Sequence, residues 1–409
     1  MFPGIDIQFQ NKQLGQVVSL PDGVSGLIAS ATAVGGTFLL NTSYMVKSMI
    51  DVAALGIIPS VDNYVLYKAL KEFYAEVGDG TELWLMGFAK TTKVSDWFTL
   101  DVGTGKAPVD KLIDDANGKL RFIWSAFSPT GAYVVTLEDG IDADVWVAQN
   151  LAQQLAERVT EKIYAPFHVI LEGYAYNGNK VTLKDLSEMT FNRTQIMLGD
   201  SEKRTGAPAS KGATTGTFAG RNAKVAVHVN PGKVADGPTA NLKAYILDTP
   251  VENYDTEALH DKGYVTFRTH TSKSGYYFVD SPMACEVADD YHYSTNRRVI
   301  DKAYRLTYQA LLDFLLAENT VQSNGTLDPI YANVIENNVE NLIYTQMTSN
   351  GELSYNPTDK SDRGVICKMD LTHNVTSTSK LKVKTLQVRA RGTNRWFDVP
   401  LGFVPVTSN

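Results

Sequence analysis

The chain has little of several things that would announce a function. Only two of its 409 residues are cysteine, Cys285 and Cys367. Two distant thiols make neither a disulfide framework nor a C-x-x-C metal or redox pattern, and both are expected reduced and buried. The six histidines, His168, His228, His260, His270, His292 and His373, form no H-E-x-x-H or other short ligand spacing, so no zinc signature is present. No run of about 18 apolar residues exists, which excludes a membrane-spanning helix of the usual kind. The opening MFPGIDIQFQ lacks the basic-then-apolar layout of a secretory signal. Positive charge is in deficit, with 38 Lys and Arg against 45 Asp and Glu and a net charge of -7. That argues against a general nucleic-acid binder, which needs clustered cations for phosphates. No G-x-S-x-G element occurs. The nearest approach to a phosphate loop, from Gly206 to Lys211, lacks the second glycine that would wrap a phosphate.

What is present reads as a soluble mixed α/β chain, long enough for two or three domains. Its 44% hydrophobic and 20% charged content are ordinary for globular protein, so composition places it in no special class. Ile5, Ile7 and Phe9 alternate with polar residues, a half-buried strand with no obvious local partner. Strand GLIASATA follows, then a short helix ended by Gly56. A stronger helix starts near Ser60 as N-cap, with Leu66, Leu70, Phe73 and Val77 on its apolar face. Strands ELWLMGFA, LRFIWSAFS, PFHVILEGYAY and QIMLGD alternate with helices at PVDKLIDDANGK and from about Asp144, the latter striped by Ala148, Leu151, Leu155 and Val159. Alternation of this kind predicts a mixed or parallel sheet covered by helices.

Gly212, Gly216 and Gly220 recur every four residues, so in a helix they would share one face and let another backbone approach closely. YVTFRTHTS and GYYFVD read as paired strands. A long helix is predicted from about Asn296 to Ala317, with Val299, Ile300, Ala303, Leu311, Phe314 and Leu315 inside, and another from Asn337 to Met347. Near the end, Leu386, Val388 and Ala390 alternate with polar residues, while Val383 is out of phase with Leu386, which implies a bulge or a break between them. Asp289 and Asp290 could be a catalytic carboxylate pair, but they also stand where negative charge suits a helix N-terminus, and that reading is preferred. Arg298, Lys302, Arg305 and Gln309 form a stripe that is either a solvated helix face or a docking strip for an acidic surface.

Two stretches carry a family resemblance. One is the Gly/Ala-rich segment of 212–237, running through Arg221-Asn222-Ala223-Lys224-Val225 to the turn ending in Asp236-Gly237. The other is 273–316, with Gly-Tyr-Tyr-Phe leading through Asp289-Asp290-Tyr291 to the helix opening on Arg297-Arg298-Val299. Together and in this order they resemble the contractile tail sheath proteins of phages and phage-like injection machines. The resemblance implies an inner domain built from both chain ends, an inserted outer α/β domain, and extended terminal strand arms. On this chain that gives an N-terminal arm at 1–20, outer α/β structure at 21–249, an inner domain at 250–380 and a C-terminal arm at 381–409.

It further implies a structural subunit and no catalytic, cofactor or metal residues. The partners would be further copies in a helical sheath, an inner tail tube, and baseplate and terminator proteins, with no direct nucleic acid and no membrane insertion. Ile5, Ile7, Phe9, Leu386, Val388 and Ala390 would be the inter-subunit strand arms. Arg298, Lys302 and Arg305 would face the tube, and Gly212, Gly216 and Gly220 would serve close helix packing. The setting would be a virion tail or injection particle, assembled in a bacterial cytoplasm. The alternatives are another ring-forming tail or secretion-apparatus protein, or an α/β nucleotide- or sugar-processing enzyme.

Overall fold

The computed structural model describes residues 21–205, 211–359 and 361–403, so the predicted strand through Ile5, Ile7 and Phe9 lies outside the described residues. The chain begins with β1 (Ser25–Ala31), β2 (Ser43–Val46), α1 (Met49–Ala54), α2 (Tyr64–Val77) and β3 (Leu83–Ala89). It continues through α3 (Val94–Phe98), α4 (Asp110–Asp115), β4 (Phe122–Ala126), α5 (Ala143–Ile163), β5 (His168–Glu172), β6 (Thr194–Met197) and α6 (Thr215–Lys224). These strands form one sheet in the order β2-β3-β1-β4-β5-β6. All its pairs are parallel except β2 with β3 at the edge. β1 is central, with Leu27 opposite Leu85 on one side and Trp124 on the other. All seven of its residues are buried, which explains why SGLIASA is apolar or small throughout instead of alternating.

The helices cover the sheet as their spacing predicts. Leu66, Leu70, Phe73 and Val77 of α2 are buried, and Phe73 stacks on Trp124 with ring centroids 5.7 Å apart. The start of α2 differs from expectation. Its N-cap is Asn63, and Ser60 instead accepts the Asn63 N–H at 3.2 Å in the preceding turn. The Asn63 amide is committed elsewhere: it bonds both the N–H and the C=O of Thr32, holding the exit of β1.

The apolar core of this body runs from Val24 to Ala284 and does not stop at residue 249. Its last part is the antiparallel pair β7 (Phe267–His270) and β8 (Lys273–Phe278), where Phe278 packs edge-on to Phe218 of α6 at 4.9 Å. A second core gathers Val227, Val299, Ala303, Val339, Ile343, Met347, Leu353, Val365 and Cys367. It joins α7 (Ser294–Leu312), α8 (Pro329–Ile343) and the hairpin of β9 (Val365–Met369) with β10 (Val383–Val388).

α7 ends before the predicted Ala317. Phe314 and Leu315 donate to carbonyls three residues back, and Leu316 takes a positive φ of 62°. Leu315, expected inside, is therefore exposed. α8 starts eight residues before the predicted Asn337, at the Asp328-Pro329 pair. Asp328 caps the N–H groups of Ile330 and Tyr331 at 2.8 and 3.2 Å, and proline suits the first helical position. The ladder of β9 and β10 slips between Lys368 and Met369, whose partners are Thr385 and Val383, so Lys384 is the extra residue of a bulge. β10 thus has a partner within the chain, so Leu386 and Val388, expected in an arm that links copies, stand in an internal hairpin.

Candidate assembly interface

Two of the three spaced glycines lie in α6 against α2. A Cβ on Gly216 would sit 2.3 Å from the Ala69 carbonyl oxygen, and one on Gly220 would sit 2.7 Å from that of Phe73. Backbone contact this close requires glycine. Gly212 is not in the helix. It precedes α6, where a Cβ would meet the Glu172 carboxylate at 2.5 Å. Arg221 of α6 pairs with buried Glu76 of α2 at 2.6 Å, which locks the same two helices electrostatically.

The basic stripe of α7 is not a free surface. Arg298 is buried and donates to the carbonyls of Asn222 and Val225, at 2.9 and 2.8 Å, where α6 ends. Burial lowers its guanidinium to about 10, and its bonds to these last carbonyls of α6 make it a helix cap within the fold. Lys302 bridges Asp22 at 2.6 Å and Glu352 at 2.8 Å, and Arg305 reaches the other oxygen of Asp22 at 3.1 Å. The tube-facing expectation for Arg298, Lys302 and Arg305 is corrected to this internal role, and of the four stripe residues only Gln309 is exposed. Spacing could show that the cations share a face, but Asp22 and Glu352 arrive from 280 and 50 residues away.

Burial raises Asp22, and the charges of Lys302 and Arg305 outweigh it, so the carboxyl ends below its usual value. Glu352 is raised, because burial, helped by the nearby Asp22 charge, outweighs Lys302 and Arg298. Asp22 stands at the root of the N-terminal segment. Glu352 adjoins Leu353, which bridges Ala390 after β10. Lys302 therefore ties the roots of both chain ends to one helix.

Beyond Ala390 the chain is pinned at two points. Arg391 donates to the Gly351 carbonyl at 2.8 Å, and Arg395 pairs with Asp280 at 2.7 Å while its guanidinium lies 3.3 Å from the Tyr293 ring centroid. After that, Trp396, Phe397, Val399, Leu401 and Phe403 are between 74% and 104% exposed and pair with no described strand. Large apolar side chains in a row this open form the kind of exposed apolar stretch that is common at interaction surfaces.

The other functional candidates have structural positions. His292 is buried, with Nδ1 2.8 Å from the Cys285 carbonyl. Asp289 accepts the Tyr291 N–H at 2.7 Å in the turn before α7. Burial pushes the Cys285 thiol up to about 12 and that of Cys367 to about 11, away from nucleophilic use.

Sheets of this order bind ligands beyond the carboxyl ends of the strands beside the switch between β1 and β4. Here that edge is packed with protein. Thr215 donates to the Ser125 carbonyl, and the Glu172 carboxylate takes the N–H groups of Phe127 and Ala213. Two cavities along the edge, one bordered by Glu172 and the other by Gly173 and Asp200, are about 10 and 20 Å³. Sequence reasoning passed over Glu172 and the neighbouring group of Lys68, Glu72 and Asp200, which have no motif.

Comparison with known proteins agrees with this architecture. The profile of the DUF2586 N-terminal domain matches residues 2–282, and that of the DUF2586 C-terminal domain matches residues 290–408. The chain belongs to the DUF2586 family. Its fold is the one seen in sheath and baseplate structures of contractile injection particles. A chain from the six-fold symmetrised baseplate of the anti-feeding prophage superposes with TM-score 0.63 at 15% identity, over 100% of this chain and 99% of that one. One from the contracted helical sheath of the same particle gives 0.62 at 15%, over 98% and 99%. One from the contracted sheath complex of the PVC extracellular contractile injection system gives 0.60 at 12%, over 98% and 97%. No curated protein matches the chain by sequence.

Proposed function

We propose that this protein is the repeating subunit of a contractile sheath, which polymerises into a helical tube around an inner tube and shortens to drive that tube through a target envelope. The observation that carries the reading is the end-to-end superposition on sheath chains, with nearly all of both chains covered. The open apolar segment from Trp396 to Phe403 supports it independently, because a chain end of this kind is suited to completing a neighbour's sheet. Such contacts join different patches on the two copies and need not close, which builds tubes in preference to dimers.

In this reading the body of residues 21 to about 282 faces outward, the body of 290–390 lies inward, and residues 1–20 and 391–409 are the linking arms. A baseplate would hold one end. The stroke is driven by surface that neighbouring bodies bury against each other as the lattice shortens, and a small free energy per copy adds over many copies. The test is electron microscopy of the purified, untagged protein, alone and with candidate tube and baseplate proteins. Hollow striated tubes are expected. Closed rings of one size in all conditions would replace the sheath with a ring-forming subunit.

A further inference from the structure

The chain holds four Asn-Gly pairs, at Asn117, Asn177, Asn324 and Asn350. This pair is open to deamidation because glycine has no Cβ to screen its peptide nitrogen. That nitrogen attacks the asparagine side-chain amide carbon and closes a five-membered imide. All four asparagines are exposed, so access to water does not choose among them. Local geometry does.

Three of the pairs are held against ring closure. The Gly325 N–H donates to the Gln322 carbonyl, and the Gly351 N–H to that of Thr348, both at 2.9 Å. Each nitrogen has to give up that bond before it can lose its proton and attack. The Asn350 amide is committed as well, donating to the Gln346 carbonyl at 2.9 Å. Asn117 has a φ of 49°, in the left-handed region. In that conformation Cβ points away from the following nitrogen, and the side chain cannot reach it unless the backbone turns.

Asn177 is held the other way. Its side-chain oxygen accepts the Asn179 N–H at 2.8 Å. Such a turn folds the side chain across the peptide between, which brings the amide carbon towards the Gly178 nitrogen. The same N–H polarises the side-chain carbonyl and faces the negative charge its oxygen gains on attack. The Gly178 N–H has no hydrogen bond among the described residues. Asn324 supplies the contrast. Its oxygen accepts the Thr326 N–H at 3.1 Å in the same kind of turn, and the committed Gly325 N–H sets it apart. Asn179 also folds forward, onto the Val181 N–H at 3.0 Å, but the residue after it is Lys180, whose side chain crowds the nitrogen.

We propose that Asn177 is a site of spontaneous deamidation in the folded protein, reacting through Gly178 and ahead of the other three Asn-Gly pairs. The Gly178 nitrogen passes its proton to solvent as it bonds to the Asn177 side-chain carbon, and the side-chain nitrogen takes up a proton and leaves as ammonia. Water then opens the imide. Cleavage of the new bond gives aspartate, and cleavage of the original peptide bond gives isoaspartate, with the chain routed through the side chain. One water enters and one ammonia leaves. Either product places a carboxylate on the loop after β5. Isoaspartate also lengthens the backbone between two fixed points. One is the Asn177 N–H on the Gly140 carbonyl at 2.9 Å, and the other is the Gly178 carbonyl, which takes the Tyr254 hydroxyl at 3.1 Å. In the sheath reading this loop lies on the outward body, so charge builds up on the outside of the particle with age. The chemistry does not depend on that reading.

The test keeps the intact, folded protein in mildly alkaline ¹⁸O-labelled water, with a parallel sample in urea. Samples taken at intervals are digested in ordinary water, and the label in each Asn-Gly peptide is read by mass spectrometry. An isoaspartate-specific methyltransferase scores the linkage. In the folded protein the Asn177 peptide is expected to gain label several-fold faster than those of Asn117, Asn324 and Asn350. In urea the four rates should converge. Asn179→Pro, which removes the polarising N–H, should slow Asn177 and leave the other three unchanged. Equal rates in the folded protein, or a faster rate at any other pair, would overturn the proposal. If the proline variant distorts the loop, the folded and urea samples of the unaltered chain still decide.

Discussion

At the residue scale, Glu172 carries the most informative chemistry. Its carboxyl is buried at the end of β5 and pushed up to about 8 by burial, against which two backbone N–H bonds work. A raised carboxyl binds its proton more tightly in the folded state. Its contribution is therefore fully present below pH 4.5, the ordinary value, and is lost as pH rises through about 8. Glu172→Gln keeps an acceptor and removes the titration. Thermal melting at pH 5 and pH 8 should show a smaller loss at the higher pH for the variant, by up to a few kcal/mol. An unchanged difference would mean the group is ionised at little cost. Gly216 makes a second prediction. A Cβ there has only the Ala69 carbonyl to occupy, so Gly216→Ala should destabilise the protein by about 1–3 kcal/mol in urea melts, although alanine favours a helix.

At the element scale, α7 is the hub. Lys302 holds two carboxylates whose side chains are at least 88% buried. Lys302→Met leaves Asp22 with Arg305 but deprives Glu352 of its only ion-pair partner among the described residues. Breaking one side of a buried ion pair costs about 3–5 kcal/mol, so a large fall in denaturant midpoint is expected. Hydrogen exchange should localise the loosening to residues 348–354 and 386–391, with the central sheet still protected. Asp22→Asn should spare that region. Acid separates the two anions. Asp22, held below its usual value, keeps its contribution above pH 3.8 and loses it only below. Glu352, raised by burial, protonates first as pH falls.

At the scale of the whole molecule, the bodies should fold without the arms. The three apolar clusters of the described residues lie within residues 24–388, and residues 396–403 pair with no described strand. Truncation after Gly392 should leave a monomer with a melting temperature near that of the intact protein and no tubes. Deletion of residues 1–10 should behave likewise. Sedimentation velocity and electron microscopy check both. Normal tubes from either shortened chain would remove that arm from the mechanism.

Much of the fold was legible because local pattern and tertiary role coincide. Leu66, Leu70, Phe73 and Val77 are spaced for a helix and are buried as one. The parallel sheet follows from alternating strands and helices, and the glycine spacing at 216 and 220 marks a face that must come close to something. Helix ends were less legible where a side chain had a competing partner, as with Asn63, or where Asp328-Pro329 opened α8 ahead of its clearest apolar stripe. By itself the sequence determined the elements, the lack of a metal or nucleotide motif, and the two stretches on which the sheath resemblance rests. Only the tertiary structure decided what the charges do. Arg298, Lys302 and Arg305 are one stripe in sequence, yet their partners are remote in the chain, so whether the stripe meets solvent or a buried carboxylate depends on how the whole chain closes. The same holds for the hairpin. The N–H groups of Cys367 and Met369 on β9 meet Glu340 and Glu336 of α8, brought there by packing that no local spacing encodes.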